Sequence, residues 1–325
     1  IRTRHGTVLH TGDWKLDPEP LIGPPTDEAA FARLAEEGVL AMVCDSTNAL
    51  VEGHSGSEAD VRRNFHALIR QLRGRVAVTC FATNLARVES IALAAKAAGR
   101  DVALFGRSLR NAVNAARECG YLSQVPDFVS EEEAGFIPDD NLLIICTGSQ
   151  GEPRSALSKI AADPHDHIAL GEGHTVIFSS RMILGHVRAI RRLQDDLTRR
   201  GCTVMTADDH AVHVSGHPCR DELKRLYQLV KPRIAVPVHG EWRHLSEHAA
   251  LARDCGAEAI IVEDGDVLRL SGNKPDVVDS VPVGRLAVDE KRLLPLEGGL
   301  MSARKRMLFN GVVVASLAVD EQGRV

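Results

Sequence analysis

Three histidines, a serine and a glycine lie close together in the segment HAVHVSGHPC. His210, His213 and His217 stand within eight residues, with Ser215 and Gly216 between the last two. Imidazole and hydroxyl groups contact phosphate and transfer protons, so this loop is a candidate for both tasks. Val-Ser-Gly-His-Pro does not fit a helix interior, which argues against a helical zinc pair of the H-E-x-x-H kind. A chance group of surface histidines is the weaker interpretation.

Two more candidates each follow an apolar run. Asp13 ends VLHTGD, where a carboxylate could bridge two cations, although an Asx turn is the more common role for such a residue alone. His239 follows IAVPV, and a single histidine at a strand end is more often structural. Because Asp13 and His217 are predicted at the same sheet edge, we favour a role for His239 as a metal ligand or an acid–base group.

The segment CTGSQGEP has two readings. Its glycines and serine before a predicted helix could cradle an anion. It is also close to the nucleophile elbow G-x-S-x-G around Ser149, with Thr147 at the position of the first glycine. A serine hydrolase that uses Ser149 with His239 as base is therefore one alternative.

Short apolar runs alternate with helical patterns along the chain. Continuous apolar runs are typical of strands in a buried parallel sheet, and their alternation with helices predicts an α/β fold. Ligands bind beyond the carboxyl ends of such strands, where the polar loops cluster. The predicted strands are 39–44, 75–80, 101–105, 141–146, 174–179, 202–206, 233–238 and 258–262, and the predicted helices are 27–37, 57–73, 83–99, 108–119, 153–162, 186–200, 219–231 and 241–255.

Composition limits the class of protein. No apolar run reaches the roughly 20 residues that span a bilayer, so we expect no membrane association. Seven cysteines without a C-x-x-C pair are typical of reduced thiols in a cytoplasmic protein.

A net charge of −5 argues mildly against nucleic acid as a partner. The arginines of one helical segment, interleaved with acids, are interpreted as a solvated face: Arg188, Arg191, Arg192, Arg199 and Arg200.

Several stretches in order closely resemble ribonuclease J, a bacterial member of the metallo-β-lactamase superfamily with a β-CASP insert. The resemblance extends from about residue 6 to residue 272, and its specificity lies in the whole set of motifs. The stretches are HTGDWKLDPEP, CDSTNA, FATN followed by an arginine, GRS, CTGSQGEPRSALSKIA, HVSGH, LVKPRIAVPVHGEWRHLSEHAALARDCG and EDGDVLRL.

The resemblance implies roles for the candidate residues. Asp13 would bridge two zinc ions and His239 would bind one of them, with manganese or magnesium as alternative metals. Asp45 of CDSTNA would steady the metal ligands, and His217 would act at the scissile phosphate. Phosphate contacts are implied for the HVSGH loop: His213, Ser215, Gly216 and His217.

A nested organisation follows from the same resemblance. Residues 1–55 and 220–272 would form the second half of a metallo-β-lactamase αββα fold. Residues 56–219 would form the inserted, Rossmann-like β-CASP domain, and 273–325 a linker and the start of a C-terminal domain.

Two departures from the family pattern stand out. The motif H-x-H-x-D-H and the next ligand histidine are missing, and neither His5 nor His10 replaces them. We therefore interpret the sequence as incomplete at both ends and expect the chain alone not to turn over RNA. In SSRMILGHV, Leu184 and His186 replace the family's usual proline and asparagine.

The expected activity is metal-dependent hydrolysis of RNA, both 5′-to-3′ exonucleolytic and endonucleolytic. The resemblance implies RNA with a 5′-monophosphate end as substrate, roles in rRNA processing and mRNA decay, and a homodimer or homotetramer. A paralogue that binds RNA without cleaving it is a second alternative to the enzyme.

Overall fold

A computed structural model describes residues 1–162, 165–183, 185–272, 274–289, 291–296 and 298–314, together with 316, 318, 320 and 322. The chain divides into two compact units, Ile1–Ile261 and Val262–Val325. All candidate site residues lie in the first unit.

One sheet of the first unit has the order β1-β2-β3-β9-β10. Its last four strands are parallel, and β1 is antiparallel to β2. The strands are β1 (Arg2–Thr3), β2 (Gly6–His10), β3 (Val39–Asp45), β9 (Ile234–Val238) and β10 (Glu258–Ala259). The sheet is therefore assembled from segments about two hundred residues apart, and the intervening chain forms a second sheet.

The second sheet is entirely parallel and has the order β5-β6-β4-β7-β8. Because the chain winds from central β4 first to one side and then to the other, loops after β4 and β7 leave on opposite faces. This creates a crevice at their carboxyl ends. The strands are β4 (Val76–Thr79), β5 (Asp101–Phe105), β6 (Leu142–Cys146), β7 (Thr175–Phe178) and β8 (Thr203–Met205).

Nine helices of the described first unit cover the sheets, besides a 3-10 turn at Asp139–Asn141. Helices α2, α3 and α4 contribute to the apolar core on one face of the second sheet, and α5, α6 and α7 to that on the other. Helices α8 and α9 contribute to the core of the first sheet. The helices are α1 (Glu28–Glu37), α2 (Glu58–Ile69), α3 (Leu85–Ala97), α4 (Arg107–Glu118), α5 (Glu131–Ala134), α6 (Ala156–Ala162), α7 (Val187–Arg199), α8 (Arg220–Val230) and α9 (Trp242–Asp254).

The second unit contains two hairpins and a helix. The hairpins pair β11 (Asp266–Arg269) with β12 (Asp276–Ser280), and β13 (Leu286–Asp289) with β14 (Arg292–Pro295). The helix is α10 (Gly299–Asn310). Among the described helices of either unit, none is long and apolar enough to cross a membrane.

The predicted α/β architecture is confirmed, and three bounds are corrected. The helix predicted at 57–73 ends at Ile69. The strand predicted at 258–262 ends at Ala259, two residues into the run. The helix predicted at 153–162 begins at Ala156, because residues 153–155 form a turn after Glu152. The anion cradle proposed from CTGSQGEP is thus separated from the helix start by that turn. Leu184, one of the two departures from the family pattern, lies outside the described residues.

Candidate metal and phosphate site

Three neighbouring strands bring their carboxyl ends to one place. Asp45 is the last residue of β3 and pairs in register with Val238, the last residue of β9. His239 follows directly, and Asp13 lies three residues beyond the end of β2. The loop before α8 adds His217. One donor atom from each of Asp13, Asp45, His217 and His239 lies within 4.8 Å of all the others.

Asp45 is the buried centre of this cluster, with 1% of its surface exposed. Its Oδ1 accepts hydrogen bonds from the backbone N–H and the hydroxyl of Thr47 at 2.8 and 2.7 Å. Its Oδ2 lies 2.7 Å from Nδ1 of His217. Burial alone would raise the pKa of Asp45, but the hydrogen bonds from His217 and Thr47 more than offset it, so the pKa lies below its usual value. The carboxylate is therefore held ionised and fixed in orientation.

His217 is positioned through both its backbone and its ring. Its backbone N–H donates to Ser215 Oγ at 3.1 Å, and its carbonyl accepts from Asn48 Nδ2 at 3.0 Å. The hydrogen bond to Asp45 raises the pKa of His217, against the opposing effect of burial. With Nδ1 engaged, Nε2 makes no hydrogen bond to any described residue. This nitrogen can meet a phosphate oxygen or a leaving group.

His239 has a positive φ. Its value of 58° is in the left-handed region, which few residues other than glycine adopt and in which histidine, like asparagine and aspartate, is enriched. Thr47 Oγ1 lies 3.2 Å from both Nδ1 and the carbonyl oxygen of His239. Nδ1 is also 3.3 Å from Asp13 Oδ1 and 3.4 Å from Asp45 Oδ1. The turn thus aims the ring at the two carboxylates.

The donor set fits a divalent metal such as zinc. Carboxylate oxygens and imidazole nitrogens are zinc ligands, and a ligand histidine commonly has its second nitrogen next to a carboxylate. The side chains of Asp13 and His239 are 67% and 53% exposed, so both remain accessible from solvent. Asp45 instead uses its oxygens to hold Thr47 and His217.

The phosphate-contact candidates of the HVSGH loop are only partly brought together. Ser215 Oγ accepts from Asn48 Nδ2 at 2.8 Å, which leaves its own hydrogen free to donate to a ligand. Gly216 is exposed, with open space around it. His213 instead turns inward, with Nδ1 3.4 Å from Arg87 Nη1. Burial, reinforced by the charge of Arg87, lowers the pKa of His213 to about 4, so its ring is neutral near pH 7.

His210 lies apart from this group. Its Nδ1 is 3.3 Å from Asp209 Oδ2 on the surface just after β8, away from the cluster of Asp13 and Asp45. The three histidines of the segment therefore have three different environments, and one of them joins the cluster.

Ser149 is buried, and none of the described residues shares a hydrogen bond with its hydroxyl. Its carbonyl oxygen accepts from Ser180 Oγ at 3.4 Å. His239, the base of the serine-hydrolase alternative, instead contacts Thr47 and the carboxylates of the cluster.

Two buried polar residues that sequence reasoning did not identify support the site. Glu222, at the start of α8, accepts hydrogen bonds from Leu16 N–H, from the N–H and hydroxyl of Ser55, and from Cys219 N–H. It thereby joins the segment after Asp13 to the loop before α8. The only sequence signal is a glutamate three residues after Cys219, the spacing of a capping box.

His248 on α9 is the second of these residues and is fully buried. Its Nδ1 lies 2.8 Å from Ser46 Oγ, and its Nε2 lies 2.9 Å from the hydroxyl of Tyr227. Ser46 directly follows Asp45, so this chain of contacts anchors the Asp45 loop to α8 and α9. The partners are about twenty and two hundred residues away in sequence, which hides the relation from any local pattern.

Acid is expected to destabilise the fold through His248. Burial lowers its pKa to about 4 in the folded chain, against about 6.5 in an unfolded one. Between these values the unfolded chain binds the proton and the folded chain does not, so the free energy of unfolding falls as pH falls. The loss from this residue reaches about 3 kcal/mol near pH 4. Urea unfolding of His248→Gln should show a flatter pH profile than the wild type.

An exposed histidine provides the control for this measurement. His54→Gln, whose side chain is 71% exposed, should follow the wild-type pH profile. Parallel profiles for wild type and His248→Gln would contradict the assignment of His248 as a buried neutral ring.

Two family models match parts of the chain. Residues 73–197 match the family model "Ribonuclease J, beta-CASP domain", and residues 205–262 match "Zn-dependent metallo-hydrolase RNA specificity domain". The chain is 46% identical to a ribonuclease J of Sinorhizobium meliloti over 99% of the chain and 57% of that relative. It is 40% identical to one of Mycolicibacterium smegmatis and 37% identical to one of Thermus thermophilus, covering 58% and 56% of those proteins.

The fold and the cluster thus define a β-CASP protein of the metallo-β-lactamase superfamily. Within that class, residues 73–197 match the β-CASP domain of ribonuclease J, and the curated relatives that the chain resembles at 37–46% identity are ribonucleases J. It spans somewhat more than half the length of the curated relatives it matches.

Proposed function

We propose that this chain supplies part of the active site of a metal-dependent ribonuclease that hydrolyses RNA phosphodiesters. The observation that carries the proposal is the convergence of Asp13, Asp45, His217 and His239 within 4.8 Å at the carboxyl edge of the first sheet. The relatives' name and the matched RNA specificity domain support RNA as the substrate.

The proposed roles are those that the resemblance to ribonuclease J implies, and exposure and hydrogen bonding support them. Asp13 and His239 are accessible and would hold zinc, two ions in the complete site, with manganese or magnesium as alternatives. Such metals, when bound, supply an activated hydroxide and stabilise the leaving oxygen. Asp45 orients His217 through the 2.7 Å contact to Nδ1, and His217 Nε2 polarises the phosphate or protonates the leaving oxygen.

The HVSGH loop would hold the RNA backbone next to this centre. Among the described residues none accepts a hydrogen bond from the Ser215 hydroxyl, and Gly216 allows close approach of a phosphate. His213, the first residue of the loop, would act through its position, since its ring is half-buried against Arg87. The proposal also includes a preference for RNA with a 5′-monophosphate end. It includes both exo- and endonucleolytic cleavage, in rRNA processing and mRNA decay, and assembly into a homodimer or homotetramer.

The 325 residues by themselves contain no H-x-H-x-D-H motif. A dinuclear centre needs more ligands than Asp13 and His239 supply. We therefore expect a polypeptide of these residues alone to leave RNA intact, and the product of the complete natural gene to cleave it.

The decisive experiment measures cleavage of end-labelled, 5′-monophosphorylated RNA by the complete gene product with added zinc or manganese. We expect metal-dependent cleavage that falls about 100-fold or more in Asp13→Ala and His239→Ala, because each removes a metal ligand. Zinc binding measured by titration calorimetry should weaken in the same variants. Wild-type rates in both variants would overturn the proposed roles.

The alternatives predict different results in the same preparation. A serine hydrolase would be labelled at Ser149 by a fluorophosphonate, and we expect no label. A non-catalytic paralogue would bind the RNA but leave it intact with every metal.

A further inference from the structure

The first two turns of α7 carry an exposed arginine face, formed by Arg188, Arg191 and Arg192. At 100° per residue these three positions fall within about 100° of one another around the helix. The buried residues of the same helix lie on its opposite side, and they are Ile190, Leu193 and Leu197. The arginines are therefore not needed to pack the helix onto its sheet.

The arginine face has no partner among the described residues: none of its three guanidiniums makes an ion pair or hydrogen bond there. Arg199, two turns further along the helix, does pair with Asp196 at 2.9 Å. The chain as a whole has a net charge of −5, so this concentration of unpaired positive charge is local. The exposure of these arginines agrees with the interpretation of a solvated face, but among the described residues the acids interleaved with them do not pair with the first half of α7.

Position along the helix makes Arg188 unfavourable for the fold. The N-terminal turn of a helix carries partial positive charge, and a cation there destabilises it. Arg188 lies in the first turn of α7, which holds no acidic residue to compensate, whereas Arg191 and Arg192 follow in the second turn. Together with the absence of partners among the described residues, this position is better explained by an anionic ligand than by stability.

Direct contacts connect α7 to the candidate site. A Cβ at Gly151, whose φ is +69°, would lie 2.7 Å from the backbone carbon of Ala189, so the loop after β6 packs closely on the first turn of α7. Gln150 of that loop donates to the carbonyl of Arg181 at 3.0 Å. Arg181 Nη1 donates to Asn48, the residue that contacts Ser215 and His217. The N-terminal end of α7, which carries the arginine face, is therefore linked through the loops after β6 and β7 to Asn48 beside the HVSGH loop.

We propose that the arginine face of α7 binds the phosphate backbone of single-stranded RNA beyond the nucleotides held at the Asp45–His217 site. This inference rests on the proposed ribonuclease function, because RNA supplies the polyanion. Guanidinium groups contact phosphate oxygens without regard to base, so this contact adds affinity and not sequence preference. Binding is expected to depend on salt concentration through the release of counterions.

The test compares two triple variants of equal charge. One replaces the arginine face, as Arg188→Gln, Arg191→Gln and Arg192→Gln. The matched control replaces three exposed arginines outside the arginine face, as Arg70→Gln, Arg73→Gln and Arg199→Gln. Affinity for a fluorescent, 5′-monophosphorylated oligoadenylate is measured by anisotropy in EDTA over a series of salt concentrations, together with Tm.

Loss of the arginine face should weaken RNA binding about 10- to 100-fold at moderate salt. The slope of log binding constant against log salt concentration should fall in magnitude by about 2, because three phosphate contacts are lost. The Tm of this variant should stay constant or rise, since an unfavourable charge leaves the helix N-terminus. The control should bind within about twofold of wild type. Equal losses in the two triple variants would overturn this inference and leave the proposed function standing. Absence of RNA binding by the wild type would overturn both.

Discussion

Asp45→Asn is expected to lower RNA cleavage by the complete gene product about 100-fold or more, with little change in RNA binding. The substitution keeps the shape of the side chain but removes its charge and replaces one acceptor oxygen by a donor. The 2.7 Å contact to His217 Nδ1 then no longer fixes the ring in the form that presents Nε2 to the phosphate. Loss of a residue that orients a functional side chain typically lowers activity 10- to 100-fold, and loss of acid–base catalysis lowers the rate further.

Asp45 also supports the metal side of the site. Its Oδ1 holds Thr47, whose hydroxyl contacts both the ring and the carbonyl of His239. Calorimetric zinc titration of Asp45→Asn should therefore show weaker binding as well as slower cleavage. The two effects together distinguish Asp45 from a residue that acts on RNA alone.

A second aspartate–histidine pair, with side chains 53% and 34% exposed, supplies the control. Asp209 Oδ2 lies 3.3 Å from His210 Nδ1 on the surface, so Asp209→Asn makes the same chemical change away from the cluster. Its cleavage rate and zinc affinity should equal those of the wild type. Cleavage by Asp45→Asn at the wild-type rate would show that His217 does not depend on this carboxylate.

Local patterns were sufficient to predict the α/β fold. Continuous apolar runs such as LLIIC and TVIF are buried strands, with bounds within one or two residues of the prediction. The carboxyl-edge rule also identified the position of the site, because parallel strands bring Asp45 and His239 together in register. The sequence does not contain the register itself, so the close contacts between these residues required the structure.

Buried polar contacts were beyond sequence reasoning for a physical reason. Glu222 and His248 bind partners distant in sequence, and an isolated glutamate or histidine on an amphipathic helix resembles a solvated residue. Burial is acceptable for them only because several donors or acceptors converge in three dimensions. The inward orientation of His213 was hidden for the same reason, because the ring contacts Arg87, which lies on α3 and is 126 residues away in sequence.

Arg87→Met is expected to destabilise the fold by about 3–5 kcal/mol, because it leaves a charged partner behind in the interior. The Arg87 side chain is fully buried, and the Glu58 carboxylate that it contacts is only 14% exposed. Nε and Nη2 donate to the two oxygens of Glu58 at 3.0 and 2.7 Å. Nη1 donates to the carbonyl and hydroxyl of Ser179 and to the carbonyl of Val212.

These contacts cross the crevice between β4 and β7 at the carboxyl edge of the second sheet. Arg87 on α3 joins α2, the loop after β7 and the segment that leads into the HVSGH loop. Loss of its five donated hydrogen bonds should therefore loosen that loop as well as the core. Arg87→Lys should recover only part of the stability, since a lysine cannot form the two-pronged contact with Glu58.

A double-mutant cycle with Glu58 separates the cost of an orphaned charge from the cost of lost packing. Urea unfolding of Glu58→Gln with Arg87→Met should show less destabilisation than the sum of the two single variants, because no unpaired charge is left buried. Arg62 and Glu89, a pair 2.7 Å apart with side chains 24% and 18% exposed, provide the comparison. Arg62→Met should cost about 1 kcal/mol, since solvent can replace much of that contact. Additive effects for Glu58 and Arg87 would mean that solvent reaches the carboxylate and that the crevice is held by apolar packing instead.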